Sequence, residues 1–361
     1  MAYINAFSPD YNTARQRFRA LASGLGCRLE RYAIDRLAPN GDDLTIDAAI
    51  LGAHYPQSVA IISSGLHGVE GFLGSAVQVA LLESQLLGWT PPPNTALVLL
   101  HALNPYGFAW VRRCNEDNAD LNRNFLLPGE VYRGSPEKYA QFDRFFNPPG
   151  APIAGELFTL KALALMLRYG LTALKQTLPV GQYDFPKGLF YGGDRPSQTY
   201  QILAAHLPKW IGEARHVLHL DFHTGLGKQG TYKLLVGEST PPDRVRWTQE
   251  QFGTDVVEVS QPKGTSYQTR GNLGHWCRNM FPQHGYDFLL AELGSYPLLD
   301  VVAALRAENQ AHWWDTPDRL SYQHAKQRLM EAFVPSNPLW RETAVRQGLE
   351  LVQRVFELIE N

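Results

Sequence analysis

The segment Ser58-Val-Ala-Ile-Ile-Ser-Ser64-Gly-Leu-His67-Gly-Val-Glu70-Gly71 decides the reading of the chain. An apolar run of strand length, Ser58 to Ser64, stops at glycine, and a stretch of helical period follows from Gly71 to Leu87. The turn between them carries an imidazole and a carboxylate three residues apart, which can converge on one metal ion. A third ligand must come from elsewhere, and His223 in Val217-Leu-His219-Leu-Asp221-Phe-His223-Thr-Gly is the best candidate. Two histidines and one glutamate form the ligand set of a catalytic zinc ion with one position left for water. The trio His67, Glu70 and His223 therefore points to a zinc hydrolase holding one Zn2+.

Working outward, strand-like runs recur at Arg28–Ile34, Leu44–Leu51, Ala96–Leu103, His216–Phe222, Tyr232–Val236, Val256–Ser260 and Asp287–Leu293. Helical patterns lie between them at Tyr11–Ala22, Gln198–Gly212, Pro242–Phe252, Leu298–Trp314 and Glu342–Ile359. Strands alternating with helices of this length predict an α/β fold, a mixed and mostly parallel sheet covered on both faces. Four strands deliver polar groups at their carboxyl ends: His67 with Glu70, Asn104, His223 and Glu292. That edge is where ligands bind in open sheets of this kind. The stretch 126–196 is rich in Pro and Gly around one apolar helical segment, Leu157–Leu174. It reads as an insertion or lid within a single domain spanning 1–361. The helix Glu342–Ile359 is expected to pack on its own core or on a second subunit of a homo-oligomer.

Bulk properties narrow the function. The 361 residues are 44% hydrophobic and 19% charged, so a large core is available. A net charge of −2 without a long Lys/Arg run disfavours nucleic acid as a partner. No stretch approaches about 18 uninterrupted apolar residues, which disfavours a membrane span. Three scattered cysteines, Cys27, Cys114 and Cys277, make neither a disulfide framework nor a zinc knuckle, and a reducing cytoplasm is expected.

Around the trio, other side chains have assignable chemistry. His219, Asp221 and His223 alternate along one strand and share a face, but His219 lies roughly 13 Å further down than His223 and reads as core. Asp221 reads either as a carboxylate that orients an imidazole or as a structural hydrogen-bond acceptor. Glu292 closes an apolar run, where partial desolvation and a nearby cation suit a carboxylate that takes and returns a proton. Residues 112–125 carry Arg112, Arg113 and Arg123 within a polar stretch. One guanidinium beside the metal would stabilise an oxyanion, and another would pair with a substrate carboxylate.

Taken in order, Gly65-Leu-His-Gly-Val-Glu70, Asn104-Pro-Tyr-Gly, Asp120-Leu-Asn-Arg-Asn-Phe, Asp221-Phe-His-Thr and Ala291-Glu-Leu-Gly resemble the zinc carboxypeptidase superfamily. That group includes carboxypeptidase A-like peptidases and the succinylglutamate desuccinylase and aspartoacylase amidohydrolases. More narrowly, the chain resembles a bacterial branch described only as a domain of unknown function.

The resemblance implies a three-layer α/β/α sandwich of the phosphorylase/hydrolase-like kind, with zinc on His67, Glu70 and His223. It implies Glu292 as general base and then acid, and Arg113, or secondarily Arg112, as the group polarising the scissile carbonyl. Asn122 and Arg123 match the position that grips a substrate carboxylate, and Tyr267 resembles the mobile tyrosine of the peptidases. The expected substrate is a small molecule or short peptide with a free carboxylate, cleaved at the adjacent amide. Gly68-Val69 is closer to the deacylases than to the peptidases, so an N-acyl amino acid deacylase or an esterase is the alternative. A non-catalytic binding protein is the remote one.

Overall fold

The computed structural model describes residues 3–153, 155–170, 177, 179–259 and 269–360. Eight strands among them form one sheet: β1 (Arg28–Leu37), β2 (Asp43–Gly52), β3 (Ser58–Ser64), β4 (Thr95–His101), β5 (His216–Thr224), β6 (Tyr232–Val236), β7 (Val257–Val259) and β8 (Tyr286–Leu293), in the order β1-β2-β4-β3-β5-β8-β6-β7. The four central strands β4, β3, β5 and β8 run parallel. The β1–β2 hairpin joins β4 antiparallel on one side, and β6 joins β8 antiparallel on the other with β7 parallel beyond it. The sheet is thus mixed and mostly parallel, as expected.

Central strands buried on both faces are apolar over much of their length: β3 reads that way from Val59 to Ile62, whereas β5 is apolar on one face and alternates to buried His219, Asp221 and His223 on the other. Alternate side chains build two separate cores. On one face Ala60, Ile62, Leu218, Leu220 and Phe222 pack with the helices Tyr11–Gly24, Gly71–Glu83 and Pro338–Glu360. On the other, Val59, Ile61, Val217 and Phe288 pack with Leu203, Leu207 and Trp210 of the helix Gln198–Ile211 and with Leu273 and Trp276 of the helix Leu273–Met280. Two cores on one sheet give the three layers. Each fully buried Leu or Val in them contributes roughly 1.5–3 kcal/mol.

The C-terminal helix settles on this chain's own core, burying Val345, Leu349, Val352, Val355 and Phe356. The helix Gly71–Glu83 stops four residues short of the expected Leu87, at Ser84, whose hydroxyl donates to the Ala80 carbonyl (2.6 Å). Its burial on nearly every side follows from its place between the sheet and the C-terminal helix.

None of the described residues of 126–196 joins a strand of the sheet, and the helices Tyr139–Phe146 and Phe158–Tyr169 lie among them. Polar side chains tie it to the body: Arg306 donates to the Phe145 carbonyl (2.7 Å), Asn309 to the Lys187 carbonyl (2.8 Å), and Tyr183 to the Arg123 carbonyl (2.7 Å). Asn124 closes the segment's end, donating to the carbonyls of Gly192 and Arg195 (2.7 and 2.9 Å).

Candidate metal centre

Because β3, β5 and β8 are adjacent and parallel, their carboxyl ends open on the same edge of the sheet. The turn after β3 is possible only with glycine. Gly65 has φ +68°, and a Cβ on Gly68 would stand 2.1 Å from the carbonyl carbon of Gly107. The close approach brings the turn against the loop behind β4, where the amides of Gly68 and Val69 donate to the carbonyls of Arg113 and Arg112 (3.2 and 2.8 Å). His67 and Glu70 therefore meet the loop that carries Arg113.

One ligand atom from each of His67, Glu70 and His223 lies within 4.8 Å of the other two, and all three residues are buried. His223 Nδ1 sits 3.1 Å from Glu70 Oε2, which also accepts from the amide of Thr224 (3.0 Å). His223 Nε2 lies 2.6 Å from Asp221 Oδ2, so of the two readings of Asp221 the structure adopts the carboxylate that orients an imidazole. Glu292 stands directly across from His223 in the register of β5 and β8, on the same face, with Oε1 accepting from the amide of Leu226 (2.8 Å).

Arg113 lies among these groups. Its guanidinium donates to Glu70 Oε1 (3.2 Å), to Asp120 Oδ2 (3.0 Å) and to His67 Nε2 (2.7 Å), and it stacks over the Phe190 ring at 5.4 Å. Asn104 holds the Arg113 backbone by donating to its carbonyl (3.1 Å). Asp120 was visible in the sequence only as part of a motif. Its own work is to bind Arg113 and face His67, with Oδ1 3.4 Å from His67 Nδ1.

The electrostatics of the donors suit a divalent cation. Burial and then the Arg113 and His223 charges hold His67 well below the usual imidazole range, so it is neutral, with its one nitrogen lone pair turned toward Arg113. Burial disfavours a charged His223, but Asp221 and Glu70 outweigh it and raise that imidazole to about 10. The space between Glu70 and His223 thus favours positive charge. The Nδ1 of His67 is buried without a hydrogen bond. A neutral imidazole, a carboxylate and a second imidazole oriented by an aspartate fit zinc. Glu292 is pushed up to about 7 by burial and then by Glu70, against the pull of His223 and Arg113.

The family of proteins of unknown function DUF2817 matches residues 7–347. The chain belongs to the DUF2817 family. No curated protein matches this DUF2817 sequence. Solved structures similar to it include carboxypeptidase A from Helicoverpa armigera, at 12% identity, covering 95% of this chain and 73% of that one with a TM-score of 0.45. Bovine thrombin-activatable fibrinolysis inhibitor, solved with a tick carboxypeptidase inhibitor, matches at 11%, 96%, 98% and 0.44 in the same order. A succinylglutamate desuccinylase from Silicibacter sp. TM1040 matches at 12%, 78%, 64% and 0.41. At this level of likeness neither activity nor substrate carries over to a DUF2817 chain.

The remaining expected residues of this DUF2817 protein fall in different places. Arg112 is not gathered at the trio: its guanidinium is buried against Glu308 (2.9 Å) and Asn118 (2.8 Å). Arg123 is buried, with Nε and Nη2 on the Pro179 carbonyl (3.0 and 2.6 Å), and shares the Phe190 ring with Arg113. The side-chain oxygen of Asn122 accepts from the amide of Leu273 at the start of the helix Leu273–Met280 (3.1 Å). Tyr267 lies outside the described residues. Phe190 carried no signal in the sequence, because its place against two arginines depends on how residues 126–196 return to the sheet edge.

Proposed function

We propose that this protein is a zinc-dependent hydrolase that cleaves an amide bond next to a free carboxylate, in a short peptide or an N-acyl amino acid. The observation that supports it most is the buried His67–Glu70–His223 group with Glu292 directly across from His223 on the next strand.

His67, Glu70 and His223 would hold the ion. Bound there, zinc supplies Lewis acidity and lowers the pKa of water. The chain's own residues do the rest. Glu292, desolvated and beside the Glu70 carboxylate so that its carboxyl is pushed up to about 7, takes a proton from the attacking water and returns it to the leaving nitrogen. The Arg113 guanidinium, pinned by Asp120 and Glu70, is preorganised to donate to the carbonyl oxygen as negative charge develops there. Asn122 and Arg123 would take the substrate carboxylate, with Arg123 exchanging the Pro179 carbonyl for it. The segment 126–196, which brings Phe190 over both arginines, would shape that end of the pocket. An intact Glu292 speaks against a protein that only binds, since binding has no use for a general base.

A substrate panel tests this reading. Dipeptides and N-acyl amino acids with free carboxylates should be hydrolysed, their carboxamide-blocked counterparts should not, and a chelator should abolish turnover until zinc is restored. Chelator-insensitive turnover, or equal hydrolysis of the blocked compounds, contradicts it.

A further inference from the structure

Below the trio, the sheet face that carries His223 also carries a line of buried polar groups that the proposed reaction leaves unused. His223 Nε2 meets Asp221 Oδ2 at 2.6 Å. Asp221 Oδ1 accepts from the Ser63 hydroxyl at 2.6 Å, Ser63 Oγ lies 2.7 Å from His219 Nε2, and His219 Nδ1 lies 2.8 Å from the Tyr286 hydroxyl. Ser63 stands across from Asp221 in the β3–β5 register, so three strands contribute to one continuous chain of hydrogen bonds. All five residues are buried.

Donor and acceptor chemistry leaves the hydrogens little choice. A carboxylate only accepts, so Ser63 gives it its one hydrogen and must itself accept from His219 Nε2–H. Burial lowers His219 to about 4, so its ring carries a single hydrogen, and Nδ1 is left to accept from Tyr286. At the far end, His223 Nε2 meets a carboxylate that only accepts, so it must carry a hydrogen toward Asp221, while Nδ1 faces Glu70. Such a network in the middle of a sheet is no more stabilising than well-packed apolar residues would be. What it gains is orientation.

We propose that the chain Tyr286–His219–Ser63–Asp221–His223 sets the tautomer and angle of His223, making Ser63, His219 and Tyr286 positioning residues of the metal site. The proposal rests on the metal reading above. Loss of a group that supports a metal ligand typically weakens metal affinity roughly 10–100-fold.

Zinc dissociation constants, measured by competition with a chromophoric chelator, test it alongside thermal midpoints. Ser63→Ala should weaken zinc at least tenfold, and Tyr286→Phe, which cuts the chain two links further away, should weaken it less. The control is Ser75→Ala, which removes a buried serine–histidine hydrogen bond of the same kind, Ser75 Oγ to His101 Nε2 (2.9 Å), outside the chain. That variant should lose stability with zinc affinity unchanged. Wild-type affinity in Ser63→Ala, or equal losses in Ser63→Ala and Ser75→Ala, overturns the positioning role while leaving the metal site standing. If Ser63→Ala does not fold, Tyr286→Phe decides by the same comparison. A wild-type protein that binds no zinc overturns both readings at once.

Discussion

Glu292 gains its environment from two directions, the backbone amide of Leu226 and the charges of Glu70 and His223 across the strand. Its proposed task is proton transfer, which contributes roughly 10²–10⁴-fold to turnover in such sites. Glu292→Gln should therefore lower kcat by about that factor while bound zinc, measured by elemental analysis, stays unchanged. Full activity in the variant removes Glu292 from the reaction. At this scale, the sequence showed those residues whose chemistry is local. His67 and Glu70 share one turn, and alternation alone placed Asp221 and His223 on one face. Ser63, Asp120 and Phe190 were not legible, because each acts through a partner from another strand or loop: Ser63 through strand register, Asp120 through the fold of its own loop against β3, and Phe190 through the return of a 71-residue segment, 126–196.

Elements read well where their pattern was strong and poorly where the buried face was small. The strands β3 and β6 and the helices Pro242–Phe252 and Leu298–Trp314 have the bounds their apolar periods predict. The helix Leu320–Phe333 was missed because it buries only Ala325, Leu329, Ala332 and Phe333, too sparse a stripe to stand out among polar residues. That helix nevertheless meets Leu298–Trp314 through a buried charge cluster: Glu308 accepts from Arg112 (2.9 Å) and from Lys326 (2.7 Å), which also donates to the Trp110 carbonyl (2.9 Å). Two helices are thereby fastened to the loop that presents Arg113.

Burial alone would raise the Glu308 carboxyl, but Arg112 and Lys326 overcome it and hold it at about 2, below its ordinary 4.5. Its stabilising contribution is thus complete above the unfolded value and is lost as pH falls from 4.5 toward about 2. The shift corresponds to about 3 kcal/mol. Denaturant unfolding should find Glu308→Gln less stable than wild type at neutral pH, with the gap narrowing by about that amount through this acid window. A gap that stays constant with pH would show that Glu308 is not ionised in the way its neighbours imply.

For the whole molecule, the α/β class, the mixed sheet and the sheet edge holding the site all followed from the alternation of apolar runs and from polar groups at their carboxyl ends. The antiparallel additions at both sides of the parallel centre were not legible, since strand order depends on pairings far apart in the sequence. No helix among the described residues is long and apolar enough to cross a membrane. The most direct measurement of the central claim is zinc content after metal-stripped protein is equilibrated with zinc and dialysed, for wild type, His67→Ala and His223→Ala. One ion per chain in wild type, with loss from both variants, is the predicted result. A wild type that retains no zinc, or variants that hold it as tightly as wild type, would contradict it.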